Sequence, residues 1–222
     1  MGLSTSLSVA LSGLSTTSEQ LSIVSRNVAR ANEEGATRKI AKVETLDGGG
    51  ARVASVARLA NDSLLSKLLL TNSDAGKQKV ISDALDQFDP TINDPSLDGS
   101  PSQLISKLTT ALQTFASSPQ DSTAANSAIT AARSLAQGLQ DATLAVQKQR
   151  TAADQGIANS VQNLNQYLTQ FQTLNDEIVR GTGNRADITD LLDQRDQLVG
   201  KISQEIGVRT TIDGNNSMSL YT

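Results

Sequence analysis

The stretch LSTSLSVALSGLSTTSEQLSIVSRNVARAN, residues 3–32, sets the fold class. Leu3, Ala10, Thr17, Val24 and Ala31 recur every seven residues, and Leu7, Leu14, Leu21 and Val28 recur in the complementary phase. Alternating steps of four and three bring all nine onto one stripe of an α-helix. The stripe begins at residue 3, so little precedes it to fold against. It needs a partner helix, from later in the chain or from another molecule. Gly35 fits a stop soon after Asn32.

Residues 37–58 change character. Ile40, Val43, Leu46, Val53 and Val56 sit among Arg, Lys, Thr and Ser around Asp47-Gly48-Gly49-Gly50, which reads as two short strands or an extended arm about a glycine turn. No Gly-Lys-Ser/Thr follows those glycines, so they are not a phosphate loop. Residues 60–88 read as helix with Leu64, Leu65, Leu68 and Leu69 as its apolar face, ended by Asp89-Pro90, because the residue before proline disfavours the α region. Residues 89–101 read as a loop, and Ser102 caps a short helix through Phe115, broken at Ser118-Pro119.

Residues 121–180 form the longest expected element. Ala132, Leu139, Val146 and Ala153 repeat every seven, with Leu135 and Ala142 in the other phase. The phase then jumps by four to Ile157, Leu164, Phe171 and Ile178, flanked by Val161 and Leu168. Gly138 and Gly156 each weaken such a helix by about 1 kcal/mol. Residues 187–206 make a last helix, with Asp187 as N-cap, Gly207 at its stop, and Ile188, Leu191, Leu192, Leu198, Val199, Ile202 and Ile206 inside. Val208, Thr210 and Ile212, a turn at Asp213–Asn216, then Met218 and Leu220 read as the start of a hairpin. A domain seldom stops in mid-hairpin, so the sequence reads as the front part of a longer protein.

Composition agrees with a helical bundle. Aromatics are 2% of 222 residues with no Trp, so Leu, Ala, Val and Ile must build the core. Net charge is −4, which gives no global attraction to nucleic acid. Residues 26–80 hold ten Lys or Arg against six acids, and residues 81–127 hold six Asp against Lys107. These read as solvated faces, or as complementary charge between stacked neighbours. No apolar run reaches the ~18 residues of a membrane span. The N-terminus lacks a basic region, and Ser4, Ser6, Ser8, Ser12 and Ser15 interrupt it, so it is not a cleavable secretory signal.

The chain has no Cys and no His. Thiol chemistry, imidazole general-base catalysis and ordinary zinc sites are therefore excluded. The many Ser residues lack a His partner for a nucleophilic triad. Asp89, Asp94 and Asp98 lack the spacing and the closing Glu of a calcium loop. Asp187, Asp190, Asp193 and Asp196 recur every three residues with Arg195 among them, which puts carboxylates on one side of a helix. With no apolar pocket evident beside them, they read as a solvated face that also favours the helix N-terminus. The residues offer no enzyme, no cofactor and no metal site.

Several segments resemble one family, the bacterial flagellar axial proteins. Ser12-Gly13-Leu14, then Ser25-Arg26-Asn27-Val28-Ala29-Arg30-Ala31-Asn32 and Gly35-Ala36-Thr37-Arg38, resemble the front pattern of rod, hook and hook-associated proteins. Asn27, Ala29, Asn32, Gly35 and Arg38 match it, whereas Arg26 stands where Asn is usual and Ala36 where Tyr is usual. Gly50–Arg58 with Asp62 and Leu65, Phe115–Pro119, Arg133, Asn163-Leu164-Asn165, Leu174–Ile178, Asp190–Leu198 and Ile206-Gly207-Val208 look like the family of first hook–filament junction proteins (hook-associated protein 1). The similarity covers nearly all of the chain.

That resemblance implies an inner-core helix paired with a C-terminal helix, export unfolded through the flagellar type III apparatus without signal cleavage, and polymerisation outside the cell between hook and filament. It implies as partners the protein itself, hook protein and the second junction protein, together with an export chaperone. The expected architecture is mainly α: an inner-core helix over 1–36, an extended or β arm over 37–59, an elongated helical bundle over 60–207 with coiled-coil-like helices, and the start of a β-containing domain over 208–222. Helix-partner or subunit contacts are expected at Leu3, Leu7, Ala10, Leu14, Leu21, Val24, Asn27, Val28, Asn32 and Arg38. Bundle packing is expected at Ile157, Leu164, Phe171, Ile178, Leu191, Leu192, Leu198 and Ile202. The rival readings are the second junction protein, flagellin or a hook or rod protein and, from another class, a coiled-coil signalling module.

Overall fold

A computed structural model describes residues 2–88 and 98–222. The fold is mainly α, with five helices and two short antiparallel hairpins among the described residues. Helix α1 is Leu3–Ala29, α2 Asp62–Phe88, α3 Pro101–Ser117, α4 Ser122–Gly183 and α5 Thr189–Glu205. Strands β1 (Arg38–Thr45) and β2 (Ala51–Leu59) form the arm, and β3 (Arg209–Ile212) pairs with β4 (Met218–Tyr221). Asp89, Pro90 and Asp94, read in sequence as part of a loop, lie outside the described residues. Asp98 is exposed and pairs with Lys107 at 3.1 Å.

The chain divides into two compact units. Unit 1 holds residues 1–75 and 163–222, and unit 2 holds residues 76–162. In unit 1 the apolar core gathers Leu69 from α2, Phe171 from α4, Leu198, Val199 and Ile202 from α5, and Val208 and Met218 from the second hairpin. Leu65, Leu164, Tyr167 and Leu220 pack at its edge. Of the leucines read as the face of α2, Leu69 is buried and Leu65 half-buried, but Leu64 and Leu68 stay exposed. Ile178 is fully buried on α4.

In unit 2, α3 rests on the first part of α4. Ser100, not Ser102, caps α3, accepting a bond from the Gln103 N–H at 3.4 Å. Leu104 is buried, and its Cδ1 occupies the place a Cβ on position 138 would need. Gly138 therefore lets the two helices approach. All but one of the inward residues of this part of α4 are small: Ala124 and Ala128 are buried, and Ala131, Gly138, Ala142 and Ala145 are half-buried, together with Leu135. The seven-residue repeat of Ala132, Leu139, Val146 and Ala153 faces solvent instead. Close approach selects small side chains, so the larger ones are displaced to the neighbouring face.

The turn after α1 fixes the arm's entry. Gly35 has φ +77°, and a Cβ there would lie 2.5 Å from Cγ of Gln197 on α5. The Gln197 amide nitrogen donates to the Glu34 carbonyl at 2.8 Å. Both backbone and space demand glycine. Gly35→Ala is expected to cost about 2 kcal/mol of unit 1 stability in urea unfolding, while Gly13→Ala, with open space at its Cβ position, is expected to cost nothing.

Candidate functional site

Helix α1 presents two unlike faces. The heptad stripe is bare: Leu3, Leu7, Leu14, Leu21, Val24 and Val28 are all more than half exposed, and Leu3 is 92% exposed. Ala10, Thr17 and Ala31 are exposed with them. Leu11, next to the stripe, is exposed too. Among the described residues no side chain of the same chain covers this stripe.

The other face of α1 lies on the arm and is polar. Thr16 and Ile23 are its buried residues, with Val9, Ser12, Gly13, Arg26 and Asn27 half-buried. The Thr16 hydroxyl lies 2.8 Å from both the Ser12 and the Ala51 carbonyl oxygens and shares its single proton between them. The Ser12 hydroxyl donates to the Val9 carbonyl at 2.9 Å and accepts from the Ala51 N–H at 3.3 Å. The Asn27 side-chain amide brackets the Lys39 backbone, donating to its carbonyl at 2.8 Å and accepting from its N–H at 2.9 Å. Each such bond contributes about 1 kcal/mol net. Asn27, expected at a helix-partner contact, makes these bonds to β1 of its own chain. Asn32 and Arg38 are exposed.

Below this face sits an ionic ladder. Asp187, Asp190, Asp193 and Asp196 lie along the start of α5 and meet cations from the basic segment far upstream. Arg26 pairs with Asp187 at 3.0 Å and Asp190 at 3.6 Å. Arg30 pairs with Asp190 and with Glu33. Lys39, 3% exposed, contacts Asp190 at 2.9 Å and also Asp193. Arg58 lies 3.3 Å from Asp193 and 2.5 Å from Asp196. Asp193 is fully buried and also accepts from the Thr37 N–H at 3.0 Å and the Thr37 hydroxyl at 2.6 Å. The aspartates thus form no solvated face. Their spacing turns one side of α5 toward the arm, where four of the ten cations of residues 26–80 await them.

The electrostatics follow the burial. Burial alone would push the Asp193 carboxyl up, but hydrogen bonds from Lys39 and Thr37 outweigh it and hold it below the ordinary range. Burial also acts against Asp187, and bonds from Thr189 and Arg26 win there too. At Asp196 burial prevails over the bond from Arg58, and the carboxyl is raised. Its Oδ1 has no hydrogen-bond partner among the described residues. The bond to Glu33 and the field of Asp190 raise the Arg30 guanidinium against its desolvation. Asp187 also accepts from the N–H of Thr189 at 3.1 Å and from its hydroxyl at 2.6 Å, so it stabilises the start of α5 from two residues before the first helical position.

A second buried ion fastens the downstream hairpin. Arg195 is fully buried on α5, and burial lowers its pKa. Its Nη1 donates to Asn175 Oδ1 on α4 at 3.1 Å and to the Asn216 carbonyl at 2.5 Å. The same Asn175 oxygen accepts the Met218 N–H at 2.9 Å, opening β4. The guanidinium thereby ties α5, α4 and the turn before β4 together.

Of the residues expected to pack the bundle, Phe171, Ile178, Leu198 and Ile202 are buried, and Leu164, Leu191 and Leu192 half-buried. Ile157 is 64% exposed. Among the described residues no cluster of His, Cys, Asp or Glu could hold a metal ion, and no helix is long and apolar enough to cross a membrane. Sequence reading missed Thr37, Lys39 and Arg58 as partners of the aspartates. The signal available was charge balance: an aspartate every third residue at one helix start, and a cation excess near the glycine turn.

Residues 85–222 match the family described as the flagellar hook-associated protein FlgK helical domain. The chain is 28% identical over 222 residues to flagellar hook-associated protein 1 of Salmonella typhimurium, covering 95% of this chain and 40% of that protein. Flagellar hook-associated protein 1 of Escherichia coli is 27% identical, with the same coverage. That of Bacillus subtilis is 23% identical, covering 96% of this chain and 45% of the relative. The chain thus spans less than half the length of these relatives. The solved structure of the flagellar hook junction protein FlgK from Burkholderia pseudomallei aligns with 70% of this chain and 27% of its own, at a TM-score of 0.61 and 25% identity.

The ladder has a defined pH dependence. The folded-state pKa of Asp193 and of Asp187 lies below the unfolded value of about 3.9, so their stabilisation is full above that pH and is lost as pH falls through the folded value. Asp196, raised, acts in the opposite sense. Asp193→Asn leaves Lys39 with Asp190 and Arg58 with Asp196 as their remaining carboxylates, and is expected to cost about 2 kcal/mol at pH 7 through the weakened charged hydrogen bonds. Its denaturant midpoint should also fall less steeply than wild type between about pH 5 and pH 2.

Proposed function

The chain belongs to the flagellar hook-associated protein FlgK helical domain family, and from that premise we propose that it is a structural component of the bacterial flagellum that joins hook to filament. The observation that carries the mechanism is the bare stripe of α1 on a helix already held by its opposite, polar face. A helix fastened in this way keeps its leucines outward and ready for helices of neighbouring subunits or of its own polypeptide.

In this reading α1 enters the tubular core of the axial structure, and burial of Leu3, Leu7, Leu14, Leu21, Val24 and Val28 drives polymerisation. At about 25 cal/mol per Å² of apolar surface, several such side chains contribute several kcal/mol per subunit before ordering costs. The helical units form the wall outside that core. The arm and α5, joined by the ladder, transmit the position of the core helix to the wall. The partners are copies of the protein itself, hook protein and the second junction protein, with a chaperone during export. The protein works outside the cell, delivered without a cleaved signal, and has no catalytic role.

The stripe separates assembly from folding. Leu7→Asp and Leu14→Asp touch no side chain of the same chain that packs in the core, so the monomer is expected to keep its circular dichroism and melting behaviour. Incorporation at the hook tip, read by electron microscopy of labelled protein on isolated hooks, should be abolished, and filaments should fail to grow. Normal filament growth in either variant would overturn the reading.

A further inference from the structure

A groove of about 830 Å³ lies within unit 1, lined by the end of β2, the start of α2 and α5. Leu59, Leu64 and Leu68 line it while being 57%, 66% and 52% exposed, so it is apolar and uncovered. Two further features bear on what fills it. Gly200 lines the groove from the middle of α5, where glycine weakens a helix relative to alanine. A Cβ added there would meet nothing within 4 Å, so no neighbour in this chain requires glycine. An incoming backbone that passes close to α5 would require it. The rim carries the carboxylates of Glu34 and Asp62, which have no ion-pair partner among the described residues, with Lys201 as its cation.

The outer face of the arm has the complementary character. Arg38, Ile40 and Lys42 alternate along β1 with Lys39 and Ala41, so the three share one side of the hairpin. Lys39 faces the ladder, whereas Arg38, Ile40 and Lys42 are all exposed, and neither Arg38 nor Lys42 has an ion-pair partner among the described residues. The sequence of cation, apolar side chain, cation fits a groove with an apolar floor and an acidic rim.

We propose that the groove receives the Arg38–Ile40–Lys42 face of the arm of a second copy of this chain. Ile40 lies over Leu64 and Leu68, and the two cations meet Glu34 and Asp62. The contact rests on the reading of the protein as a polymer subunit. Arg38 stands opposite Leu59, so the donor face begins at the groove's edge, but Ile40 and Lys42 lie beyond the residues that line the groove; the contact therefore pairs unlike surfaces and is heterologous, adding subunits in one direction without closing on a pair.

These 222 residues contain no cysteine, so cysteines introduced among them report single contacts once any cysteine elsewhere in the full-length polypeptide is replaced by serine. Full-length protein carrying Leu68→Cys is mixed with full-length protein carrying Ile40→Cys, assembled on isolated hooks and oxidised. A disulfide dimer joining the two is expected in the polymer and not in unassembled protein. In a second experiment, Glu34→Lys with Asp62→Lys is expected to lose polymerisation, and adding Arg38→Glu with Lys42→Glu in the same chain is expected to restore it. Polymers that form normally without the disulfide, or a Leu68→Cys protein that cross-links to Leu7→Cys instead, overturn the docking and leave the polymer reading intact. Charge-reversed protein that is not restored by the compensating pair also overturns it. Wild-type protein that never polymerises on hooks overturns the polymer reading and the docking together.

Discussion

Everything upstream of α2 depends on one buried carboxylate. Asp193 has no exposed surface, yet it is held below the ordinary carboxyl range because Lys39, Thr37 and Arg58 surround it. Removing a charge from water costs several kcal/mol unless partners restore the lost hydration. Here the partners all come from the arm. Docked, the arm supplies the partners of Asp193, and Lys39 in turn finds its counter-charges in Asp190 and Asp193. A hairpin of two strands is marginal alone in water, and α1 buries only Thr16 and Ile23. The ladder is therefore what gives both a fixed position.

That constraint explains the division of α1. It meets the arm through hydroxyl and amide bonds from Ser12, Thr16 and Asn27, and meets the start of α5 through Arg26 and, just past its end, Arg30. None of these consumes a leucine. Apart from buried Ile23 and half-buried Val9, the apolar surface of the helix is left free, which suits the proposed association with helices outside the chain. In the proposed docking, the groove and arm face of unit 1 extend the same economy, since apolar and charged groups left unpaired among the described residues complement one another.

Much of this was legible in the residues. The seven-residue repeat of α1, the two strands around Gly48–Gly50, the α5 core at Leu198 and Ile202 and the closing hairpin all follow from local periodicity and turn chemistry. The aspartates of α5 were not legible as a buried set, because their cations lie more than 130 residues away and nothing local distinguishes a solvated acidic face from a buried one. Ile157 and Leu139 fit a helical repeat as well as Leu164 does, but only packing decides which phase turns inward. In unit 2 that decision went to alanine and Gly138, since Leu104 of α3 comes too close for anything larger. Asn27 matched a family pattern, yet its hydrogen bonds to Lys39 could be found only once α1 and β1 were placed side by side.

Amide hydrogen exchange on the monomer and on the polymer tests the division most directly. In the monomer, the amides of α5 and of Lys39–Ala41 should exchange slowly as one unit, and those of α1 should exchange much faster, because its apolar face is uncovered. On assembly α1 should slow to the level of α5 while α5 changes little. Protection of residues 3–29 in the monomer equal to that of α5, or no gain in their protection on assembly, would contradict the conclusion that the stripe is held ready for neighbouring helices.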